Sequence, residues 1–185
     1  MSTLEVNQIS PSTGTTVTIG GSGDTVTLGS GATQSGFGGV NAPYFEAYLP
    51  SNQDSVSQAT DVKVQLSTEN FDSGGNFDNS TNYRFTPTVA GKYFIYGAVT
   101  VYGGDVTALT AVSAKIKKNG SIVRFSDKNY TSNHAYVIST TVSGIIDFNG
   151  STDYVELFGY LQSTSTGRFQ GGNSQTYFGG YRIIE

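Results

Sequence analysis

The side chains that could carry out acid–base chemistry are few and scattered. His134 is the single histidine and cysteine is absent, which excludes thiol-based function. Two suitably spaced carboxylates could hydrolyse a glycan. The candidates by residue type are Asp72, Asp78, Asp105, Asp127, Asp147, Asp153 and Glu156. Most lie in predicted turns, where aspartate is favoured for backbone reasons, and no catalytic motif is found around them. The sequence therefore indicates a protein that is not an enzyme.

One stretch approaches a metal-binding pattern. Residues 20–28, GGSGDTVTL, come close to the calcium nonapeptide G-G-x-G-x-D-x-U-x. Asp24 falls one place early, and the following unit, residues 29–33, has no carboxylate. Because calcium needs several oxygen ligands at fixed positions, a structural turn at Asp24 is the favoured interpretation over a calcium site. We expect neither a bound metal nor a cofactor.

Two loops mix aromatic and hydrogen-bonding side chains in a way that suits a sugar ligand. Aromatic faces can cover the C–H groups of a sugar ring, and amides can pair with its hydroxyls. The candidate ligand-binding residues are Asn129, Tyr130, Asn133, His134, Arg168 and Phe169. The alternative is that both segments are plain polar loops.

Composition points to a β-protein with many turns. The chain has 185 residues, of which 24 are glycine and 13% are charged, about half the usual charged share. A net charge of −4 argues against nucleic acid as a partner.

The chain has no apolar run of about 20 residues, so membrane insertion is not expected. Residues 1–6 lack the basic and apolar regions of a signal peptide, so export by the ordinary route is not expected.

Residues 1–41 form a repetitive, glycine-rich region. The unit TVTI at residues 16–19 returns as TVTL at residues 25–28, with the period-2 alternation of a strand. Such short strands cannot bury their apolar face alone, so the repeat must stack on copies of itself. The sequence predicts a homo-oligomeric β-stalk, most simply threefold, with four side chains facing the shared axis: Val17, Ile19, Val26 and Leu28.

Residues 42–185 form the second region, in which eight to ten strand candidates alternate with turn signals. The strand candidates are residues 44–49, 62–66, 83–86, 92–102, 109–117, 121–125, 135–146, 153–161 and 176–184. Asn119-Gly120 is a two-residue hairpin signal. The pattern has no helical periodicity, so this region is predicted to be an all-β antiparallel sandwich or jelly roll.

Two of these strands are apolar on both faces. In residues 92–102 and 153–161, one face supplies core residues and the other remains aromatic. A monomeric sandwich needs only one apolar face per strand, and aromatic residues are enriched in interface cores. We therefore predict a subunit interface, the alternative being a crowded core with tyrosine hydroxyls at its rim. The predicted interface residues are Phe94, Tyr96, Tyr154, Phe158 and Tyr160.

The motif RFTPTVAGKYFIYG at residues 84–97 resembles the core motif of C1q-like globular domains. The preceding segment at residues 71–79, the hairpin KKNGSIV at residues 117–123 and the closing strand YFGGYRII at residues 177–184 resemble that family in the same order. The resemblance implies a jelly roll of the C1q and tumour necrosis factor type that forms homotrimers, binds ligands and has no catalytic residues.

The opening MSTLEVNQI, together with the repeats after it, resembles the start of structural proteins in marine bacteriophages, especially cyanophages. This resemblance implies a fibre-like or decorating virion protein, made in the host cytoplasm and located on the virion surface. Residues 1–41 would be the attachment segment and stalk, with Leu4, Val6 and Ile9 contacting other virion proteins. Residues 42–185 would be a knob that binds a host-surface glycan.

Three rival functions remain open. The chain could be a decoration protein that stabilises the capsid shell through its N-terminal segment. It could be a C1q-like recognition module of a cellular protein, which the missing signal disfavours. It could also be a small glycan hydrolase, which would need two carboxylates about 5 to 9.5 Å apart in a groove.

Overall fold

The computed structural model describes residues 9–32, 41–131 and 135–183, and the chain divides into two units, Met1–Gly39 and Val40–Glu185. The sequence placed its boundary between residues 41 and 42. Leu4, Val6, Asn133 and His134 lie outside the described residues, so their predicted roles stay predictions.

The N-terminal unit contains turns but no strand within residues 9–32. Asp24 closes one turn, in which the N–H of Gly21 donates to its Oδ2 atom at 2.6 Å. The predicted strands at residues 16–19 and 25–28 do not form in the single chain, because a strand requires a partner for its backbone groups. The four apolar side chains of the repeat are between 38% and 60% exposed. Ile9 is exposed as well.

The C-terminal unit is built from antiparallel strands. Its described residues form β1 (Tyr44–Tyr48), β2 (Asp61–Lys63), β3 (Thr68–Asp72), β4 (Phe77–Asp78), β5 (Arg84–Phe85), β6 (Gly91–Tyr102), β7 (Leu109–Lys118), β8 (Ser121–Asn129), β9 (Val137–Phe148), β10 (Val155–Ser163), β11 (Arg168–Phe169) and β12 (Tyr177–Arg182). The all-β prediction is confirmed. The predicted two-residue hairpin joins β7 to β8, with φ of 50° at Asn119 and 82° at Gly120, the backbone that a type I′ turn requires.

The strands form two sheets that enclose one core. In the first sheet the order is β9-β6-β12-β1-β3, with β11 pairing the end of β6. In the second sheet the order is β4-β5-β10-β7-β8, with β2 pairing β10 beside β5. Strands β6 and β10, which the sequence singled out as apolar on both faces, therefore lie in different sheets.

Aromatic side chains occupy one end of the core. Phe45 of β1 stacks on Phe85 with ring centroids 4.2 Å apart and on Phe77 at 5.1 Å. Its edge contacts Phe178 of β12 at 5.3 Å. Because Phe45 and Phe178 come from the first sheet and Phe77 and Phe85 from the second, this cluster joins the two sheets.

Asp78 stabilises the turn between β4 and β5. Its carboxylate accepts hydrogen bonds from the N–H of Thr81 at 2.8 Å, the N–H of Ser80 at 3.1 Å and Nδ2 of Asn82 at 2.6 Å. The bond from Thr81 is the largest of the effects that hold the pKa of Asp78 well below its ordinary value, against the opposing effect of burial.

Acid is expected to destabilise the C-terminal unit through this carboxylate. The pKa of Asp78 is lower in the folded than in the unfolded chain. Its contribution to the free energy of unfolding is therefore complete above the pKa of an unfolded aspartate, about 3.9, and is lost as the pH falls below that value. The urea midpoint should therefore decrease between pH 5 and pH 2. Asp78→Asn should lower the midpoint at pH 5 and make the pH dependence shallower, and an unchanged slope in this variant would contradict the assignment.

Candidate functional site

Strand β6 presents two different faces. Tyr93 and Ile95 point into the core and are fully buried, whereas Phe94 and Tyr96 lie on the outer face of the first sheet and are half-buried. The register places Phe94 opposite Tyr181 of β12. The rings of this pair have centroids 5.7 Å apart. The outer side chains of β6 and β12 thus form one layer.

This layer continues across the sheet to β1 and β3. Tyr44 is paired with Tyr181 in the register, and its ring meets Phe71 of β3 at 5.7 Å. We call the whole surface the aromatic face. It consists of Tyr44, Phe71, Phe94, Tyr96, Tyr177 and Tyr181. Tyr44, Phe71 and Tyr181 are exposed. A contiguous exposed aromatic surface of this kind marks an interaction site.

Glu46 lies within the aromatic face, and both of its carboxylate oxygens are engaged. Tyr96 donates its hydroxyl hydrogen to Oε2 at 2.7 Å, and Nδ2 of Asn70 donates to Oε1 at 2.7 Å. Burial first, and then the hydrogen bond to Glu46, raise the pKa of Tyr96. Glu46 therefore holds the ring of Tyr96 over Gly179, where an added Cβ would meet that ring at 2.5 Å.

The sequence predicted only part of this surface. Phe94 and Tyr96 were named as interface residues, and the structure places them on the aromatic face. Tyr44, Phe71, Tyr177 and Tyr181 were not named. The alternation of Tyr177, Gly179 and Tyr181 with the buried Phe178 was the available signal, because residues two apart share a face of a strand.

The other predicted interface residues lie on a different surface. Tyr154, Phe158 and Tyr160 line the outer face of the second sheet, because they belong to β10 and its leading turn. Within one chain the two predicted sets therefore lie on opposite sides of the sandwich, and their assignment to a subunit interface stays a prediction.

Cations cover the aromatic rings of this second surface. The guanidinium of Arg84 lies 4.5 Å from the ring centre of Tyr154, and the ammonium of Lys117 lies 4.0 Å from that of Phe158. The ammonium of Lys115 lies 5.1 Å from the ring centre of Tyr160. Each of these cations therefore covers part of a half-buried ring within the same chain.

Carboxylates pair with these cations. Asp61 bridges Lys115 at 2.6 Å and Lys117 at 3.0 Å, and Glu156 pairs with Lys63 at 2.5 Å. Burial tends to raise the pKa of Asp61, but the hydrogen bonds from the two lysines together lower it. The basic run at residues 115–118 is thus an ion-pair network of the sheet surface.

Solved structures with the same architecture identify the fold. Crystal structures of murine APRIL at pH 5.0 and pH 8.0 are similar to this chain with TM-scores of 0.52 and 0.55. Both are 11% identical to it; each match covers 76% of this chain and 99% or 98% of the APRIL chain. The chain has a tumour-necrosis-factor-like fold. No family model and no curated protein matches the sequence.

The tumour-necrosis-factor-like fold separates the predicted ligand-binding residues. Asn129 ends β8 in the second sheet, whereas Arg168 belongs to β11 of the first sheet, with its guanidinium 4.3 Å from the ring centre of Tyr102. Phe169 is fully buried in the core. Its predicted role in ligand contact is therefore wrong, because its ring packs against the position of Gly159. Tyr130 packs partly against the core.

Residues 9–32, 41–131 and 135–183 contain no group of three or more His, Cys, Asp or Glu side chains placed to hold a metal ion. The same part of the chain has no helix with the length and hydropathy needed to span a membrane.

Proposed function

We propose that this protein is a homotrimeric virion surface protein whose N-terminal unit attaches it to the particle and whose C-terminal knob binds the host surface. The observation that carries the trimer is the aromatic face, which leaves Tyr44, Phe71 and Tyr181 exposed in the single chain. Covering this face with sister subunits removes that apolar surface from water, which favours association. The resemblance to C1q-like and tumour-necrosis-factor-like domains implies the same assembly.

The N-terminal unit supports the proposal independently of the knob. Val17, Ile19, Val26 and Leu28 are all exposed in the single chain. Three copies side by side would bury these side chains against one another and supply the missing strand partners. The virion assignment itself rests on the resemblance of residues 1–33 to the openings of marine bacteriophage structural proteins.

The mechanism of the proposed attachment is multivalent contact. Three identical knobs on one trimer, and many trimers on one particle, raise the effective concentration of weak binding sites. Ile9, with Leu4 and Val6, would anchor the trimer to other virion proteins. A decoration protein that clamps neighbouring shell subunits would use the same anchor, and the location of the protein on the particle distinguishes the two roles.

Mass measurement tests the assembly. The purified full chain should have three times the mass of its 19.6 kDa protomer, and a monomer at micromolar concentration would overturn the proposed trimer. Deletion of residues 1–39, the whole N-terminal unit, should leave a folded knob that no longer attaches to particles. Attachment of this truncated knob would show that the N-terminal unit is not the anchor.

A further inference from the structure

A shallow groove runs over the outer face of the second sheet, between β10 and β8. One depression of about 200 Å³ is lined by Ala111, Lys115, Asp127, Asn129 and Tyr160. A second, of about 390 Å³, shares Lys115 and Asp127 with the first and adds Ile122 and Phe125. Because the two depressions share residues, they form one continuous surface, which we call the β8 groove. It lies on the opposite side of the sandwich from the aromatic face.

The β8 groove carries hydrogen-bonding groups that the described part of the chain leaves without partners. On β8, Ser126 and Lys128 turn toward β9, where they bond to Thr140 and to the carbonyl of Ser139. Asp127 and Asn129 point to the opposite side of the strand, into the groove. Their side chains make no hydrogen bond or ion pair with any described residue.

A buried and unpaired hydroxyl lies on β7 between the two strands that border the groove. Ser113 is 2% exposed, and its Oγ atom has no hydrogen-bond partner among the described residues. The register sets Ser113 between Tyr160 of β10 and Asp127 of β8. Its neighbours Val112 and Ala114 belong to the core, so alternation directs Ser113 to the groove side. Leaving a buried hydroxyl unpaired is costly, so this position is a weak point in the polar network of the second sheet.

The charges of the groove disfavour an anionic ligand. The ammonium of Lys115 is held by Asp61 at 2.6 Å, so its positive charge is already compensated. The carboxylate of Asp127 is the remaining uncompensated charge on the lining, and it would repel an anion. Carboxylate oxygens accept hydrogen bonds and do not donate them, so they pair well with the hydroxyls of a neutral ligand.

Each depression also has an aromatic side chain. Tyr160 is half-buried beside the first, and Phe125 is 63% exposed beside the second. Strands β10 and β8 are separated by two strand spacings, about 10 Å. A saccharide that spans this distance could therefore meet both aromatic rings while its hydroxyls reach Asp127 and Asn129.

The geometry points to the β8 groove as a binding site for a neutral saccharide that spans both aromatic side chains. The biological role of this site rests on the proposed host-binding function. The hydrogen-bonding and aromatic groups of the groove belong to one chain and do not depend on the trimer. Among the described residues of the sequence-predicted ligand-binding set, Asn129 lines the groove. Tyr160, predicted for the subunit interface, contacts the ligand here.

An array of immobilised saccharides tests the assignment with the full-length protein. The probes are neutral oligosaccharides of glucose, mannose and galactose, printed beside sialylated and sulfated oligosaccharides. We expect binding to at least one neutral probe and none to the acidic probes. Asp127→Ala and Phe125→Ala should each weaken binding to that neutral probe about tenfold, whereas Asp147→Ala, which removes an exposed carboxylate of β9 in the other sheet, should leave it unchanged.

Three results would overturn the assignment of the β8 groove as a saccharide site. They are preferential binding of acidic probes, absence of binding to every neutral probe, and unchanged binding in both groove variants. Mass measurement on the same samples separates this outcome from the proposed trimer. A trimer without saccharide binding overturns the groove alone, and a monomer that still binds the neutral probe overturns the trimer alone.

Discussion

Phe45→Ala is expected to lower the free energy of unfolding by about 3–5 kcal/mol, the usual cost of removing a buried phenylalanine ring. Phe45 is fully buried and its ring contacts Phe77, Phe85 and Phe178. These three neighbours come from both sheets, so the cavity would lie at the junction between them. Since natural domains are stable by only about 5–15 kcal/mol, this substitution removes a large part of the total.

The control for this prediction is Phe125→Ala, the same chemical change at an exposed position. Surface substitutions usually change stability by less than about 0.5 kcal/mol. Urea unfolding of both variants and the parent, at one protein concentration, measures the difference, because association makes apparent stability depend on concentration. Equal losses in the two variants would contradict the assignment of Phe45 to the centre of the core.

The long strands were predictable because they are runs rich in β-branched and aromatic residues bounded by turn signals. Residues 92–102 and 109–117 were predicted as strands, and the structure forms β6 and β7 there. Strands β3, β4 and β11 were not predicted. Two of them have only two residues, and β3, with the sequence TENFD, is polar at an edge of its sheet, where burial imposes no alternation.

Sheet membership was not predictable from the pattern within a strand. Phe94 in β6 and Phe158 in β10 both occupy outward positions, and alternation identifies them equally well. It cannot tell which sheet each strand joins, since this depends on pairing between residues far apart in sequence, such as Phe158 with Lys115. The aromatic face was therefore found in part, and the predicted interface residues came from both sheets.

The β8 groove depends on the same long-range pairing. Ser113, Asp127 and Tyr160 are separated by up to 47 positions in the sequence, counted as 160 minus 113, and only the β8-β7-β10 register brings them together. From the sequence, Asp127 was grouped with the aspartates of predicted turns, because aspartate is favoured in turns. In the structure Asp127 belongs to a strand, which places its carboxylate on a fixed face.

The aromatic face leads to the second large prediction, which is that Tyr181→Glu converts the proposed trimer into monomers. Tyr181 is 41% exposed in the single chain and meets Phe94 at 5.7 Å. Because much of its ring is outside the core, a glutamate at this position should be tolerated by the isolated knob. Within a subunit interface, an unpaired carboxylate loses its hydration without gaining a partner.

The expected cost is about 3–5 kcal/mol for each buried unpaired charge, which corresponds to a dissociation constant raised at least about a hundredfold. Light scattering or native mass measurement at micromolar concentration should find monomer for Tyr181→Glu. Phe125→Glu, which puts the same charge on the opposite sheet, should remain trimeric. If Tyr181→Glu stays trimeric while Phe125→Glu dissociates, the subunits associate through the second sheet and the aromatic face requires another partner.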